Sequence, residues 1–127
     1  MHVLLVRHAE ALPGEPDELR PLSPAGRAHA RSLGVELAGR KPSAVLSSPL
    51  LRARETAEAI AKATGAKVRI EPLLAPGAAA AELRDAVLAQ GETVVAVGHQ
   101  PDLSEIVLEL TGERVSFAPG SLHEVEL

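Results

Sequence analysis

The sequence contains no cysteine, tryptophan or tyrosine, and it has a single phenylalanine. The absence of cysteine excludes disulfides, thiolate metal sites and a cysteine nucleophile. The near absence of aromatic residues removes the platforms on which nucleic-acid bases stack. The formal net charge of −4 is opposite in sign to that of a typical nucleic-acid binder. We therefore expect no nucleic-acid partner, and a core built from Leu, Val, Ala and Ile.

Long hydrophobic runs are also missing. No segment approaches the ~18 consecutive apolar residues of a membrane-spanning helix. The N-terminal residues do not combine a basic segment with the long apolar stretch of a secretory signal. With 127 residues, of which 46% are hydrophobic, the chain is expected to form a single domain over residues 1–127. We expect this domain to be cytoplasmic, with no membrane partner.

Short apolar runs alternate along the chain with segments of helical pattern. The runs predict strands near residues 2–7, 43–47, 67–71 and 93–98, and a last pair near 114–117 and 122–126. Helical patterns fit residues 24–39, 50–64, 79–90 and 102–111. This alternation predicts a three-layer α/β sandwich with a mostly parallel central sheet and helices on both faces. No helix separates the last two strands, so the C-terminal strand is expected to be antiparallel.

Charged side chains follow three of the predicted strands, at the point where each strand ends. The first strand runs into Arg7 and His8. The second leads into a helix whose first turn carries Arg52, and the third reaches His99 just before another helix. Because ligands bind at the carboxyl ends of parallel strands, we expect these four side chains at one site. Arginines, histidines and helix N-termini together favour an anion, and phosphate is the obvious candidate.

The residues around these strand ends form three motifs. Residues 7–9 are Arg-His-Ala, residues 48–57 are Ser-Pro-Leu-Leu-Arg-Ala-Arg-Glu-Thr-Ala, and residues 98–101 are Gly-His-Gln-Pro. In this order they resemble the Arg-His-Gly, Ser-Pro-x-x-Arg-Ala-x-x-Thr-Ala and Gly-His-x-x motifs of the histidine phosphatase (phosphoglycerate mutase-like) superfamily. Ala9 stands in place of the usual glycine. The resemblance spans nearly the whole chain.

The resemblance implies a phosphatase that works without a cofactor. His8 would attack a phosphoryl group and form a covalent phosphohistidine, as the corresponding histidine does in members of the family. Arg7 and Arg52 would bind the phosphoryl oxygens, and His99 would donate to the same group. Gln100 would add a backbone N–H from a helix N-terminus. The residues alone do not distinguish His8 from His99 as the nucleophile, because a neutral imidazole near pH 7 is competent at either position.

Arg20 is a further candidate for substrate binding. Residues 20–23, Arg-Pro-Leu-Ser, resemble a segment of small family members in which Arg20 would approach the substrate phosphate. The alternative is a surface arginine in a charged loop. His8 and His99 could instead hold a metal ion, but two histidines in arginine-rich surroundings make a poor cation site. We therefore expect no bound metal.

The leaving group separates the possible substrates. Expelling an alkoxide calls for a general acid, and the candidates are Glu71 and Glu82, although either is more simply interpreted as a surface carboxylate. A phosphohistidine releases imidazole, a far better leaving group that needs little help from an acid. The chain is also too short for the segments that cover the pocket in the mutases, so we expect an open site. These features resemble the compact SixA-type phosphohistidine phosphatases.

The sequence therefore predicts a metal-independent phosphatase that dephosphorylates phosphohistidine on a protein. Two alternatives stay open. The first is a small-molecule phosphomonoesterase acting on a sugar or nucleotide phosphate, with Glu71 or Glu82 as its acid. The second is a non-catalytic phosphate-binding module. The expected partner is accordingly a phosphorylated protein or a small phosphorylated metabolite.

Overall fold

The computed structural model describes residues 1–127 and contains five strands and four helices. Strands β1 to β5 span His2–Arg7, Ala44–Ser47, Val68–Ile70, Thr93–Gly98 and Leu122–Glu126. Helices α1 to α4 span Pro24–Ala38, Leu51–Thr64, Ala80–Leu88 and Asp102–Thr111. Short 3-10 turns at Asp17–Leu19 and Pro72–Leu74 lie in the connections after β1 and β3. None of the helices is long and apolar enough to cross a membrane.

The strands form one sheet in the order β3-β2-β4-β1-β5. Neighbours pair in parallel except at the β1–β5 edge, where β5 runs antiparallel. The predicted mostly parallel sheet with an antiparallel C-terminal strand is therefore confirmed. Arg7 at the end of β1 lies opposite Gly98 at the end of β4, and Ser47 at the end of β2 lies opposite Val97. This register brings the carboxyl ends of β1, β2 and β4 together on one side of the sheet, which we call the strand-end edge.

Helices cover both faces of the sheet, as the sequence predicts. Val3 and Leu5 point to one face and Leu4 and Val6 to the other, because side chains alternate along a strand. The first face packs on α3 and α4 through Leu83, Val87, Leu103, Ile106 and Val107. The second packs on α1 and α2 through Leu33, Leu37, Ala53, Ala57 and Ile60. Two apolar layers therefore hold the central strands rigidly from both sides.

The prediction of a strand at residues 114–117 is wrong. Residues 113–118 have no regular secondary structure, and β5 pairs with β1 rather than with this segment. Side chains take up its carbonyl groups: Arg7 donates to the Phe117 oxygen at 2.9 Å, and the Ser104 hydroxyl donates to the Val115 oxygen. The Phe117 side chain is buried in the core. The alternating polar and apolar side chains therefore belong to an irregular segment. Its carbonyl groups accept hydrogen bonds from side chains and not from a neighbouring strand.

The start of α1 is packed against the chain that follows β1. Ser23 caps the helix by accepting a hydrogen bond from the Gly26 N–H at 3.0 Å, as its position before Pro24 predicts. Its hydroxyl also donates to the Glu10 carboxylate at 2.7 Å. At Gly26 a Cβ atom would lie 2.0 Å from the Glu10 carbonyl oxygen. Only glycine therefore permits this close approach of α1 to the residues beyond His8.

Candidate active site

His8 lies directly after β1, and one of its two ring nitrogens is engaged in a hydrogen bond with the backbone. Its Nδ1 is 2.8 Å from the carbonyl oxygen of Ala9. A carbonyl oxygen only accepts, so Nδ1 carries the ring proton and Nε2 keeps its lone pair. The Ala9 N–H in turn donates to the Thr56 hydroxyl at 3.1 Å, and Thr56 donates to the Arg52 carbonyl at 2.8 Å. Helix α2 thereby anchors the backbone of Ala9, whose carbonyl orients His8.

His99 follows β4 and faces His8, with ring centroids 5.2 Å apart. Its Nε2 lies 2.7 Å from the Ser48 hydroxyl oxygen, which also accepts a hydrogen bond from the Leu50 N–H at 3.2 Å. The Ser48 hydroxyl has no other acceptor among its hydrogen-bond partners, so we assign its proton to the bond with His99 Nε2 and the ring proton of His99 to Nδ1. The two histidines therefore differ: His8 presents a lone pair and His99 an N–H.

Burial is the main cause of a low pKa at both histidines. Burial, together with the charges of Arg52, Arg7 and Arg20, lowers the pKa of His8 to about 4, although the hydrogen bond to Ala9 opposes the shift. The pKa of His99 is also about 4, because burial, His8 and Arg52 lower it more than two carboxylates raise it. Both rings are therefore neutral at pH 7. A neutral imidazole with a free lone pair is the form that can act as a nucleophile.

Arg7, Arg52 and His99 share a feature that points to an anion. The Nε atoms of both arginines and the Nδ1 atom of His99 are buried and form no hydrogen bond within the protein. An unsatisfied buried donor costs about 1–3 kcal/mol, and an anion with several acceptor oxygens would offset that cost. The other end of Arg7 is committed, because its Nη1 donates to the Phe117 carbonyl at 2.9 Å. The free donors thus lie at the edge where the three strands end.

Arg20 reaches this edge through Asp17. Its Nη1 donates to Asp17 Oδ1 at 3.0 Å, and its Nε donates to the Leu12 carbonyl at 2.8 Å. The opposite oxygen of Asp17 accepts from Arg52 Nη2 at 3.1 Å, and the Asp17 backbone carbonyl accepts from Arg52 Nη1 at 2.8 Å. Asp17 thus joins the two arginines. Sequence reasoning missed this residue, whose only local signal is its position three residues before Arg20.

Gln100 contributes its side chain to α4. Its Nε2 donates to the Ser104 hydroxyl at 2.7 Å, and its Oε1 accepts from the Ser104 N–H at 3.0 Å. The side chain is therefore engaged with the first turn of α4, and the predicted contact of Gln100 with substrate stays a prediction for its backbone N–H. Asp102, also missed from the sequence, accepts from the backbone N–H groups of Gly77 and Ala78 at 2.8 and 3.3 Å. It anchors the loop before α3 to the start of α4.

The two carboxylates considered as acids do not bond to the histidines. Glu71 follows β3, and its backbone N–H donates to the Ser47 carbonyl at 2.8 Å. Its carboxylate, however, accepts from the Leu73 N–H at 3.2 Å. Glu82 is exposed in the first turn of α3. No group of three or more His, Asp or Glu side chains is arranged to hold a metal ion.

Comparison with known proteins agrees with this arrangement. The profile of the histidine phosphatase superfamily (branch 1) matches residues 3–76, which carry two of the three motifs. The chain belongs to the histidine phosphatase superfamily. It is also 40% identical over 93 residues to an uncharacterized protein of Picosynechococcus sp.; the match covers 68% of this chain and 56% of the relative. The chain therefore spans little more than half the length of that curated relative.

Solved structures of the superfamily share the whole fold. The protein histidine phosphatase SixA, in complex with tungstate, is 29% identical with a TM-score of 0.88, and the match covers 100% of this chain and 88% of SixA. A SixA structure from Agrobacterium tumefaciens is 30% identical with a TM-score of 0.81, over 97% and 89% of the two chains. A mycobacterial glucosyl-3-phosphoglycerate phosphatase, 18% identical with a TM-score of 0.79 over 97% and 88%, shares the fold. The superfamily and SixA-like architecture expected from the motifs are confirmed.

Proposed function

We propose that this histidine phosphatase superfamily protein is a metal-independent phosphatase that works through a phosphohistidine on His8. The observation that carries the proposal is the pairing of two unlike imidazoles. His8 presents a neutral Nε2 lone pair, while His99, Arg7 and Arg52 have buried N–H groups without partners in the protein. A nucleophile and unpaired donors at one strand edge are what phosphoryl transfer requires.

The first step joins phosphorus to His8. The Nε2 lone pair attacks the phosphoryl group, the bond to the leaving group breaks, and its electron pair departs with the leaving atom. Arg7 and Arg52 bind the equatorial oxygens, whose charge the guanidinium groups offset. His99 donates from Nδ1 to the same group. The Nδ1 proton of His8 stays in its hydrogen bond to the Ala9 carbonyl, so the phosphorylated ring carries a positive charge that makes it a good leaving group.

The second step releases phosphate. Water attacks phosphorus, the bond to Nε2 breaks, and its electron pair returns to His8. The ring becomes neutral again with its proton still on Nδ1, and the product leaves as dihydrogen phosphate. No external base is needed to balance the protons. The Ala9 carbonyl and the Thr56 hydroxyl behind it therefore hold the ring in one orientation through both steps.

We further propose that the substrate is phosphohistidine displayed on a protein. Neither His8 nor His99 is in the cationic, doubly protonated form at pH 7, since the pKa of each is about 4. Glu71 and Glu82 make no hydrogen bond to either of them. An alkoxide leaving group would thus find no positioned acid, whereas an imidazole leaving group needs little help. Similarity to the protein histidine phosphatase SixA over the whole chain supports the same substrate class.

The test is release of inorganic phosphate, with EDTA present, from a phosphohistidine protein and from a panel of sugar and nucleotide monophosphates. We expect selective turnover of phosphohistidine that His8→Ala abolishes. His2→Gln is the matched control, because His2 lies at the amino end of β1, at the other end of the strand from His8. Faster turnover of one monoester would replace the protein substrate by a small metabolite. Phosphate binding without turnover of any substrate would make the chain a binding module.

A further inference from the structure

Asp17 lies at the mouth of the site, between its buried wall and solvent. The Asp17 side chain is 58% exposed, whereas that of Arg52 beneath it is 8% exposed. Each carboxylate oxygen accepts one hydrogen bond, from Arg20 Nη1 at 3.0 Å and from Arg52 Nη2 at 3.1 Å. A carboxylate has about four lone-pair positions, so each oxygen can accept a further N–H from a molecule entering the site.

The negative charge of Asp17 is fixed by its neighbours. Hydrogen bonds from Arg20 and Arg52 hold the pKa of the Asp17 carboxyl below its usual value. Its charge also reaches His99, since it is one of two carboxylates that raise the pKa of that ring. Asp17 therefore places a permanent anion beside a site that otherwise gathers cationic donors. Although Asp17 holds Arg20 and Arg52 in place, its charge repels a phosphate bound at the same site.

We propose that Asp17 is a specificity-determining residue that favours phosphoryl groups carried on a positively charged nitrogen base, such as the imidazolium form of phosphohistidine, over phosphate monoesters. This inference rests on the proposed phosphatase function. In an in-line displacement the leaving group departs on the side opposite the nucleophile. A leaving group attached to a protein must lie toward solvent. In the pair that Asp17 forms with Arg52, the Asp17 carboxylate is the group that faces solvent.

The proton balance explains why the imidazolium form matters. When the unphosphorylated ring nitrogen of the substrate is protonated, breaking the P–N bond returns an electron pair to a cationic ring, and neutral imidazole leaves. When that nitrogen is unprotonated, the leaving group is an imidazolate, a much stronger base. A hydrogen bond to Asp17 stabilises the cationic ring and raises its pKa. No proton has to move during the displacement of the cationic form.

The same carboxylate disfavours phosphate monoesters. A monoester brings a dianionic phosphoryl group and a neutral or anionic remainder, so Asp17 repels it without any compensating contact. Its alkoxide would also need a proton, which an ionised Asp17 does not hold. Removing the charge of Asp17 is therefore expected to lower kcat/KM for phosphohistidine and to raise it for phosphate monoesters. A purely structural role would weaken both together.

The experiment compares Asp17→Asn with Glu18→Gln, which removes a charge from the next residue of the same 3-10 turn. The probes are a phosphohistidine peptide, para-nitrophenyl phosphate and inorganic phosphate as a competitive inhibitor. In Asp17→Asn we expect kcat/KM for the peptide to fall about tenfold, the loss of one charge-assisted hydrogen bond. We expect inorganic phosphate to bind about threefold more tightly, as for removal of a partly screened repulsion. Glu18→Gln should leave both quantities within about twofold.

Two further readouts separate specificity from folding. Asp17→Glu keeps the charge and should retain the preference for the peptide, even if both rates fall. The alkaline limb of kcat for the peptide should move to lower pH in Asp17→Asn, because the bound imidazolium loses the group that raises its pKa.

The outcomes distinguish this inference from the proposed function. Equal losses on the peptide and on para-nitrophenyl phosphate, or no change in their ratio, would overturn the role of Asp17 and leave the phosphatase intact. A wild-type protein that releases phosphate from neither the peptide nor para-nitrophenyl phosphate would overturn both, and one that acts only on para-nitrophenyl phosphate would overturn this inference and the proposed substrate.

Discussion

The Ser48 hydroxyl lies 2.7 Å from His99 Nε2, and this contact joins the end of β2 to the end of β4. Backbone hydrogen bonds reinforce the junction, because the Ser48 N–H donates to the Val97 carbonyl at 3.0 Å and the His8 N–H donates to the Gly98 carbonyl at 3.2 Å. Three strand ends are thereby locked to one another. The orientation of His99 is a property of the sheet edge more than of its own loop.

Ser48→Ala should therefore impair the proposed phosphatase activity while leaving the fold in place. The substitution leaves His99 Nε2 buried without a donor, so the ring loses its fixed proton position as well as about 1–3 kcal/mol of stability. We expect kcat to fall by about 10–100-fold, comparable with removing one positioned donor, and KM to change less. Ser47→Ala is the matched control: its hydroxyl is also buried but donates to the Ser48 carbonyl. Equal kcat losses in both variants would show that strand-end packing, and not His99, is responsible.

Thr56→Val tests the hydrogen bond that anchors the backbone of Ala9, whose carbonyl orients His8. Valine keeps the shape of threonine but removes the acceptor of the Ala9 N–H, which lies 3.1 Å away. The backbone of Ala9 then loses its anchor on α2, so its carbonyl holds the His8 Nδ1 proton less firmly, and we expect kcat to fall about tenfold. Thr64→Val is the control, because Thr64 makes a similar bond to the Ile60 carbonyl at the far end of α2. Steady-state kinetics on the phosphohistidine protein would decide, and an unchanged kcat in Thr56→Val would rule out a role for Thr56 in orienting His8.

Much of the fold could be predicted because its signals are local. The apolar runs of β1 and β4 and the Ser23-Pro24 start of α1 each indicate their element within a few residues. Residues 114–117 mislead for the same reason. Their alternation resembles a strand, but whether a strand forms depends on distant partners, and here Arg7 and Ser104 take the carbonyl groups.

The site divides in the same way. The motifs placed His8 and His99 at strand ends, and the register of β1 with β4 brings them together. Which ring presents a lone pair depends on Ala9 for one and on Ser48, 51 residues away, for the other. Asp17 could not be found from the sequence, since its importance lies in a contact with Arg52, 35 residues further along. Long-range hydrogen bonds thus carry the chemistry that local patterns cannot specify.

The pKa values of the histidines give a prediction about pH. The pKa of His8 and of His99 is about 4 in the folded protein, against about 6.5 in an unfolded chain. A lowered histidine pKa means that the unfolded state binds more protons as pH falls. The stability contributed by the neutral rings is thus complete above pH 6.5 and is lost progressively between pH 6.5 and 4. We expect the Hε1 resonances of both rings to titrate near pH 4 in an NMR series. Titration of either ring near 6.5 would contradict the burial of the pair.

Gly26→Ala tests whether α1 supports the site from behind. Alanine normally favours a helix over glycine by about 0.5–1 kcal/mol, so a gain in stability is the simple expectation. At position 26, however, the new Cβ would lie 2.0 Å from the Glu10 carbonyl oxygen. The clash forces α1 away from the chain after His8, and we expect a loss of about 1–3 kcal/mol together with reduced kcat. Gly39→Ala is the matched control, because a Cβ atom at position 39 would meet no other atom within 4 Å. Thermal melts should therefore move in opposite directions, and a stabilised Gly26→Ala would show that this approach is loose.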